Sequence, residues 1–253
     1  MKLFHRAMAL ALLSLALLTG CQSTSPAEPM PVLMYHDVVT ADTGNLNDWM
    51  VTADKFREDM QWLKDNGYTT VLPRELTAGE ELPDKPVLVT FDDGYESNYT
   101  LALPILEETD SKAVIALITE RIDSEKPGFL TWEQCRALHE SGRVELGSHT
   151  HDSHSGEKPG ILRRDGESKA DYEARIFTDL ETSVERIETN VGADVTYFAH
   201  PHGQKDEWSE AFVKELFPVT ATSEVATADL ANGTQDMPRY NISMSTPLSQ
   251  YLD

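Results

Sequence analysis

The sequence predicts an α/β fold built around a barrel of parallel strands, and three observations carry that expectation. Apolar runs of strand length alternate with amphipathic helical stretches from residue 31 onward, and sustained alternation of this kind makes a largely parallel sheet. The run Val87-Leu88-Val89-Thr90-Phe91 is apolar and β-branched without a polar face, as suits a strand covered on both sides. The length of 253 residues matches one such barrel, and a hydrophobic content of 40% can fill its core. About seven strands are expected.

Residues 1–20 stand apart from this pattern. Lys2 and Arg6 precede an apolar stretch, Ala7 to Leu18, that is too short to span a bilayer as a stable helix. It ends in Leu18-Thr19-Gly20-Cys21, which resembles a bacterial lipobox. That resemblance implies a signal peptide over 1–20 and lipidation of Cys21 as the first mature residue. The protein would then sit in the cell envelope, lipid-anchored and extracytoplasmic. Gln22, in place of an aspartate, would favour the outer membrane facing the periplasm if the cell is Gram-negative. Residues 21–30 read as a flexible Ser/Thr/Pro tether, and 31–253 as one folded domain.

Within that domain, Pro31 to Val39 reads as the first strand, with His36-Asp37 near its end, and Thr40 to Met50 as a loop. Thr52 caps a helix reaching Asn66, with Phe56, Met60 and Leu63 on one face and Gly67 as its stop. Tyr68 to Leu72 is a strand, and Pro73 to Pro86 a loop with one short helical turn. After Val87 to Phe91, Ser97 to Thr109 reads as a helix whose start Pro104 kinks or shifts. Lys112 to Thr119 is a strand, Glu120 to Leu130 a loop, and Thr131 caps a helix ending at Ser141-Gly142. Val144 to Ser148 is a strand that delivers His149 into a polar loop reaching Gly166, a length that suits a functional segment. Ser168 to Asn190 is the longest helix, with Phe177, Leu180, Val184 and Ile187 as its buried stripe. The strand Val195 to Ala199 leads into His200-Pro201-His202-Gly203. A helix over Glu207 to Phe217 and strands over Val219 to Ser223 and Pro238 to Ser243 complete the domain.

The formal charge is −22, and loss of Lys2 and Arg6 with the signal peptide would take it to −24. Such a surface repels nucleic acid and anionic lipid. It suits solubility or life in salt, or attraction to a polycation. With two cysteines in all and Cys21 assigned to lipid, no structural disulfide is expected. Cys135 reads as a small buried residue on a helix.

Polar clusters follow the strands. Asp92 and Asp93 close the central one, at the carboxyl end where α/β folds place their chemistry. Adjacent side chains at a strand end point in different directions, so one carboxylate can hold a metal while the other faces substrate. A plain strand-to-turn Asp-Gly signal would explain the same pair. Six of the eight histidines also lie where strands end: His36, His149, His151, His154, His200 and His202. Carboxylate plus imidazole is the ligand set of zinc, iron or a similar divalent ion. Two histidines and one aspartate leave positions open for water and substrate. His151 competes with His154, because an extended chain places His149 and His151 on one face. The absence of a Gly-rich phosphate loop argues against a nucleotide enzyme.

Thr90-Phe91-Asp92-Asp93-Gly94, taken with Ser148-His149-Thr150 and His154, resembles the motifs of NodB-homology polysaccharide deacetylases. Tyr35-His36-Asp37-Val38 and Phe198-Ala199-His200-Pro201-His202-Gly203 resemble the branch acting on the biofilm polymer poly-β-1,6-N-acetylglucosamine. The resemblance covers about residues 31–245. It implies a deformed, incomplete (β/α) barrel and a metal-dependent hydrolase that frees acetate from an N-acetylglucosamine polysaccharide. By the motifs, Asp92 matches the catalytic base, and Asp93, His149 and His154 the metal ligands. His36 matches the general acid, and Tyr95 the residue whose backbone N–H serves the oxyanion. The spacing of five between His149 and His154 is that of the biofilm branch. Zinc is the first expectation for the metal, with nickel, cobalt or iron as alternatives. Asp37, His151, His200 and His202 are further residues expected at the cleft. His200 stands where most of the family has the arginine that orients the base, which leaves that partner open. A monomer is expected. Chitin-type or peptidoglycan glycans, or an O-acetyl ester, would be served by the same scaffold. A non-catalytic polysaccharide-binding lipoprotein is the alternative of another class.

Overall fold

The strand that ends in the paired aspartates lies in the middle of the sheet, and the rest of the chain is layered around it. The computed structural model describes residues 29–154 and 160–252. The signal peptide expected over 1–20, Cys21 and most of the expected tether lie outside the described residues.

In chain order, β1 (Pro29–Met30) and β2 (Val32–Tyr35) are followed by β3 (Asp37–Val39), β4 (Met50–Thr52), helix α1 (Ala53–Asp65), β5 (Thr69–Val71) and α2 (Pro73–Thr77). Next come β6 (Pro86–Phe91), α3 (Leu103–Thr109), β7 (Ala113–Leu117), α4 (Thr119–Asp123), α5 (Trp132–Glu140) and β8 (Val144–Ser148). The chain then forms α6 (Lys169–Val191), β9 (Tyr197–Ala199), α7 (Glu207–Leu216), β10 (Val219–Ala221), β11 (Ala228–Asp229) and β12 (Tyr240–Asn241). The main sheet runs β10-β9-β8-β7-β6-β2-β12, with β5 pairing along the first half of β6. Every pairing in it is parallel. The sheet curls into a half-barrel that stays open between β10 and β12, where one parallel bridge links Ala221 to Met237. This is the deformed, incomplete barrel that the motifs led us to expect.

The period of two along each strand divides the core. Val87, Val89 and Phe91 of β6 face the helices and pack with Phe56, Leu106, Leu138 and Leu180. Leu88 faces the other way, into a smaller cluster with Val32, Val114, Ala116, Tyr197 and Val219 inside the curl. Both faces are thus dry, which is why β6 carries no polar alternation. Each fully buried side chain of this kind contributes about 1.5–3 kcal/mol.

Capping follows the sequence closely. Thr52 accepts the backbone N–H of Lys55, at 3.1 Å, to start α1. Thr131 and Gln134 form a reciprocal box at the start of α5. Ser168 caps α6, and Gly192 closes it in the left-handed conformation.

Four expectations are revised. The first strand breaks at His36 into β2 and β3, and β3 leaves the main sheet to pair with β4. The helix after β6 begins with a π-turn over Asn98–Ala102, and regular α-helix starts at Leu103 with Pro104 in its first turn. Residues Thr119–Asp123 form the short helix α4 in place of loop. The buried stripe of α6 is Tyr172, Ile176, Leu180, Ser183 and Ile187, while Phe177 and Val184 are half-buried. Ser183 belongs inside because its hydroxyl pairs with that of Ser148, at 2.7 Å, at the end of β8. Such a buried polar pair leaves no hydrophobic signal. Cys135 is free and buried, as its composition suggested. Among the described residues, no helix is long and apolar enough to cross a membrane.

Candidate active site

The carboxyl ends of β2, β6, β8 and β9 converge on a cavity of about 190 Å³ lined by Met34, His36, Trp49, Asp92, Asp93, Tyr95, His149, His154, His202 and Ser223. A groove of about 750 Å³ at the opposite ends of the strands, near Tyr68, Lys85 and Tyr251, contains none of these groups.

Asp92 and Asp93 part company at the end of β6. Asp93 takes a left-handed backbone, φ 75°, and Gly94 repeats it at φ 75°. A side chain at Gly94 would be strained by that conformation and would meet Leu117 Cδ2 at 2.9 Å. This double twist turns Asp92 inward and aims Asp93 at the histidines. Asp93 Oδ1 lies 3.8 Å from His149 Nε2 and 3.5 Å from His154 Nε2, with Arg121 Nη1 at 3.5 Å. One ligand atom from each of Asp93, His149 and His154 falls within 4.8 Å of the other two.

These residues fit a divalent ion. Asp93 Oδ1 is buried without a hydrogen-bond partner, the state of an acceptor waiting for a ligand. His149 Nδ1 lies 2.7 Å from the Ala199 carbonyl; donating to it leaves the lone pair of Nε2 toward the cluster. Burial pushes the His149 imidazole down to about 4, and burial together with His149 lowers His154 as well. Both rings are therefore neutral near pH 7, as metal ligation requires.

His151 does not join them. Thr150 has φ 76°, a left-handed conformation rare for a β-branched residue, so the chain is not extended between His149 and His151. His151 Nδ1 instead meets Thr119 Oγ1 at 2.9 Å. His154 returns to the cluster and packs at a tilt against His149 and His202, with ring centroids 4.5 and 4.7 Å apart.

Asp92 is 2% exposed and gripped by Arg239. Arg239 Nη1 donates to Oδ1 and Nη2 to Oδ2, both at 2.8 Å, a forked pair. The guanidinium is held in turn by the Thr222 carbonyl at 2.8 Å and Thr90 Oγ1 at 3.2 Å. Burial alone would raise Asp92, but the Arg239 charge overrides it and holds the carboxyl well below the usual carboxylate range. Sequence reading missed this residue. It sits in Pro238-Arg239-Tyr240 just before β12, 147 residues from its partner, and no local pattern marks it.

The fork corrects the expectation for position 200. His200 is fully buried behind the site, with Nε2 3.5 Å from Asp236 Oδ1 and its ring against Phe198. It does not line the cleft. Neither does Asp37, whose Oδ1 accepts the Ser97 hydroxyl at 2.7 Å. Both were expected at the cleft, as was His151; of that set, His202 is there, at φ 56°.

His36 occupies the break between β2 and β3. Asn98 donates to its carbonyl at 2.9 Å, Ser97 accepts the N–H of Val38 at 3.1 Å, and the imidazole packs on Trp49. The π-turn thus fixes the backbone on both sides of the ring. Burial holds His36 below its ordinary value, against the pull of Asp92 and Asp93. Tyr95 stacks on Phe129 at the rim, and burial with the nearby Asp93 charge pushes its phenol up to about 12.

Comparison with known proteins agrees with this geometry. Residues 79–216 match the model of the polysaccharide deacetylase family. The poly-β-1,6-N-acetyl-D-glucosamine N-deacetylase of Escherichia coli K12 is 28% identical over 96% of the chain, which spans 44% of that longer protein. A de-N-acetylase from Aggregatibacter actinomycetemcomitans superposes with a TM-score of 0.76 at 25% identity, covering 87% of this chain and 97% of that one. A Streptococcus pyogenes deacetylase shares the fold, with a TM-score of 0.75 at 24% identity over 89% of this chain and 98% of its own. The chain belongs to the polysaccharide deacetylase family.

Proposed function

We propose that the protein is a metal-dependent N-deacetylase of an N-acetylglucosamine polysaccharide, with poly-β-1,6-N-acetylglucosamine as its substrate. The observation that carries this reading is the pairing of two differently held carboxylates in one cavity. Asp92 is locked ionised by Arg239, and Asp93 is grouped with two neutral imidazoles. The name of the Escherichia coli relative supports the β-1,6 linkage.

In this mechanism Asp93, His149 and His154 would hold the ion, with zinc favoured by the ligand set. A divalent ion there would polarise the acetamide carbonyl and acidify a water. Asp92 accepts the proton of the attacking water through the lone pairs that Arg239 leaves free. The Tyr95 backbone N–H serves as a donor to the oxyanion, a contact worth roughly 3–4 kcal/mol. His36 in its imidazolium form, which the Asp92 and Asp93 charges favour against burial, gives a proton to the amine nitrogen as the C–N bond breaks, so acetate and a glucosamine unit leave. By the lipobox resemblance, this activity would lie in the cell envelope, tethered through Cys21.

The test is acetate release from β-1,6-linked N-acetylglucosamine oligomers beside chitin oligomers of equal length, with and without added zinc. Zinc-dependent release from the β-1,6 oligomers, lost in Asp92→Asn, is expected. Release from chitin oligomers alone would overturn the linkage, and release from neither would overturn the reaction.

A further inference from the structure

Trp49 is an indole left half in water at the edge of the cavity. It is 49% exposed, whereas most large apolar side chains here are buried. The other large hydrophobic residues that stay exposed, among the described residues, are Val225 and Met244. Met244 lies beside the segment that carries Trp49. Met244 Sδ is 3.2 Å from the N–H of Thr52, three residues from Trp49. Val225 follows the cavity residue Ser223 by two positions. Of the three, Trp49 lines the cavity itself, and an exposed aromatic at the edge of a polar cleft is suited to ligand contact.

The segment carrying Trp49 is held from three directions. Its carbonyl accepts the N–H of Asp37 at 3.1 Å. Its N–H donates to Asn47 Oδ1 at 2.8 Å. Asn241 Nδ2, from β12, donates to the neighbouring Asp48 carbonyl at 3.0 Å. The indole rests against His36, with centroids 4.7 Å apart and planes 57° inclined. A rigidly placed aromatic plate therefore borders the group that meets the departing amine.

N-Acetylglucosamine carries its substituents equatorially, so both faces of its ring are lined by C–H bonds and are apolar. We infer that Trp49 is a sugar-stacking residue: a pyranose ring of the glycan lies on the indole while its acetamide reaches toward Asp92 and His36. The assignment rests on the reading of the substrate as an N-acetylglucosamine polymer. It adds a recognition element that the metal and base do not supply.

The experiment uses the full chain, zinc-loaded, with a β-1,6-linked N-acetylglucosamine tetramer. Trp49→Ala and Trp49→Leu should raise KM roughly tenfold, the scale of one aromatic contact, and change kcat by less than about threefold. Trp49→Phe, which keeps a flat aromatic face, should stay within about threefold of the parent in both. A merely structural role would lower kcat and zinc affinity together and would not separate Leu from Phe. Binding is measured separately by titrating the tetramer into Asp92→Asn and into Asp92→Asn/Trp49→Leu, where the second should bind about tenfold more weakly. Unchanged KM and unchanged tetramer affinity in the Ala and Leu variants would overturn the assignment. Absence of acetate release by the parent would sink the deacetylase reading alone, since the titration still decides whether Trp49 holds the sugar.

Discussion

Replacing Arg239 with methionine tests the electrostatic logic of the site directly. The variant keeps an unbranched apolar stem but loses the guanidinium, and so strands the Asp92 carboxylate, 2% exposed, without its counter-charge. The two 2.8 Å contacts place the charge centres about 4 Å apart. At an effective dielectric near 20 that separation corresponds to roughly 4 kcal/mol, in line with the ~3–5 kcal/mol lost when one partner of a buried pair is removed. For a domain of this size the melting temperature should fall by roughly 8–16 °C. The assay is thermal and urea unfolding of chelator-treated protein, so that metal binding does not contribute. The diagnostic step is the double variant. Asp92→Asn in the Arg239→Met background removes the stranded charge and should recover at least half of the lost stability, although it deletes a second native group. Arg239→Lys, which keeps the charge but not the fork, should fold and bind metal while kcat falls by roughly tenfold or more. A loss below about 1 kcal/mol in Arg239→Met, or no recovery in the double variant, would refute the reasoning.

Two further outcomes are expected. Direct titration with zinc should show affinity reduced at least a hundredfold in His154→Ala and within about threefold of the parent in His151→Ala; equal losses would contradict the role of the left-handed turn at Thr150. Arg175 hydrogen-bonds Glu167 and holds it down to about 2, below the ordinary value near ~4.3. A depressed carboxylate stabilises the folded state above its unfolded pKa, and that contribution is lost as pH falls through the folded one. Glu167→Gln should therefore flatten the decline in stability between about pH 4.5 and about pH 2, and an unchanged acid profile would count against the pairing.

What the sequence could reveal depended on distance along the chain. β6 was legible because a buried parallel strand is written as a nearly continuous apolar run, and both it and β8 deliver their polar motifs within a few residues. The caps at Thr52 and Thr131 were legible for the same reason, since a cap and its target lie three residues apart. Arg239 was not, because a lone arginine before a two-residue strand looks like any surface cation until the sheet curls. Trp49 was hidden in a segment read as loop, where exposure cannot be told from burial. The α6 stripe was displaced because Ser148 and Ser183 satisfy each other inside the core. The choice between His151 and His154 turned on one backbone dihedral at Thr150, to which side-chain spacing is blind.

The placement of Arg239 also bears on how the molecule assembles. Strands β5 to β8 pair through contacts separated by a few tens of residues, and the centre of the sheet can form while the rest of the chain is still being made. The guanidinium arrives only when β12 docks beside β2, Tyr240 against Leu33, across more than 200 residues. Until then the Asp92 side chain has no cation to meet in the interior and must stay hydrated or take up a proton. Closure of the last strand is thus the step at which the nascent domain becomes dry at its centre, and a chain halted earlier would leave water where the reaction is meant to occur.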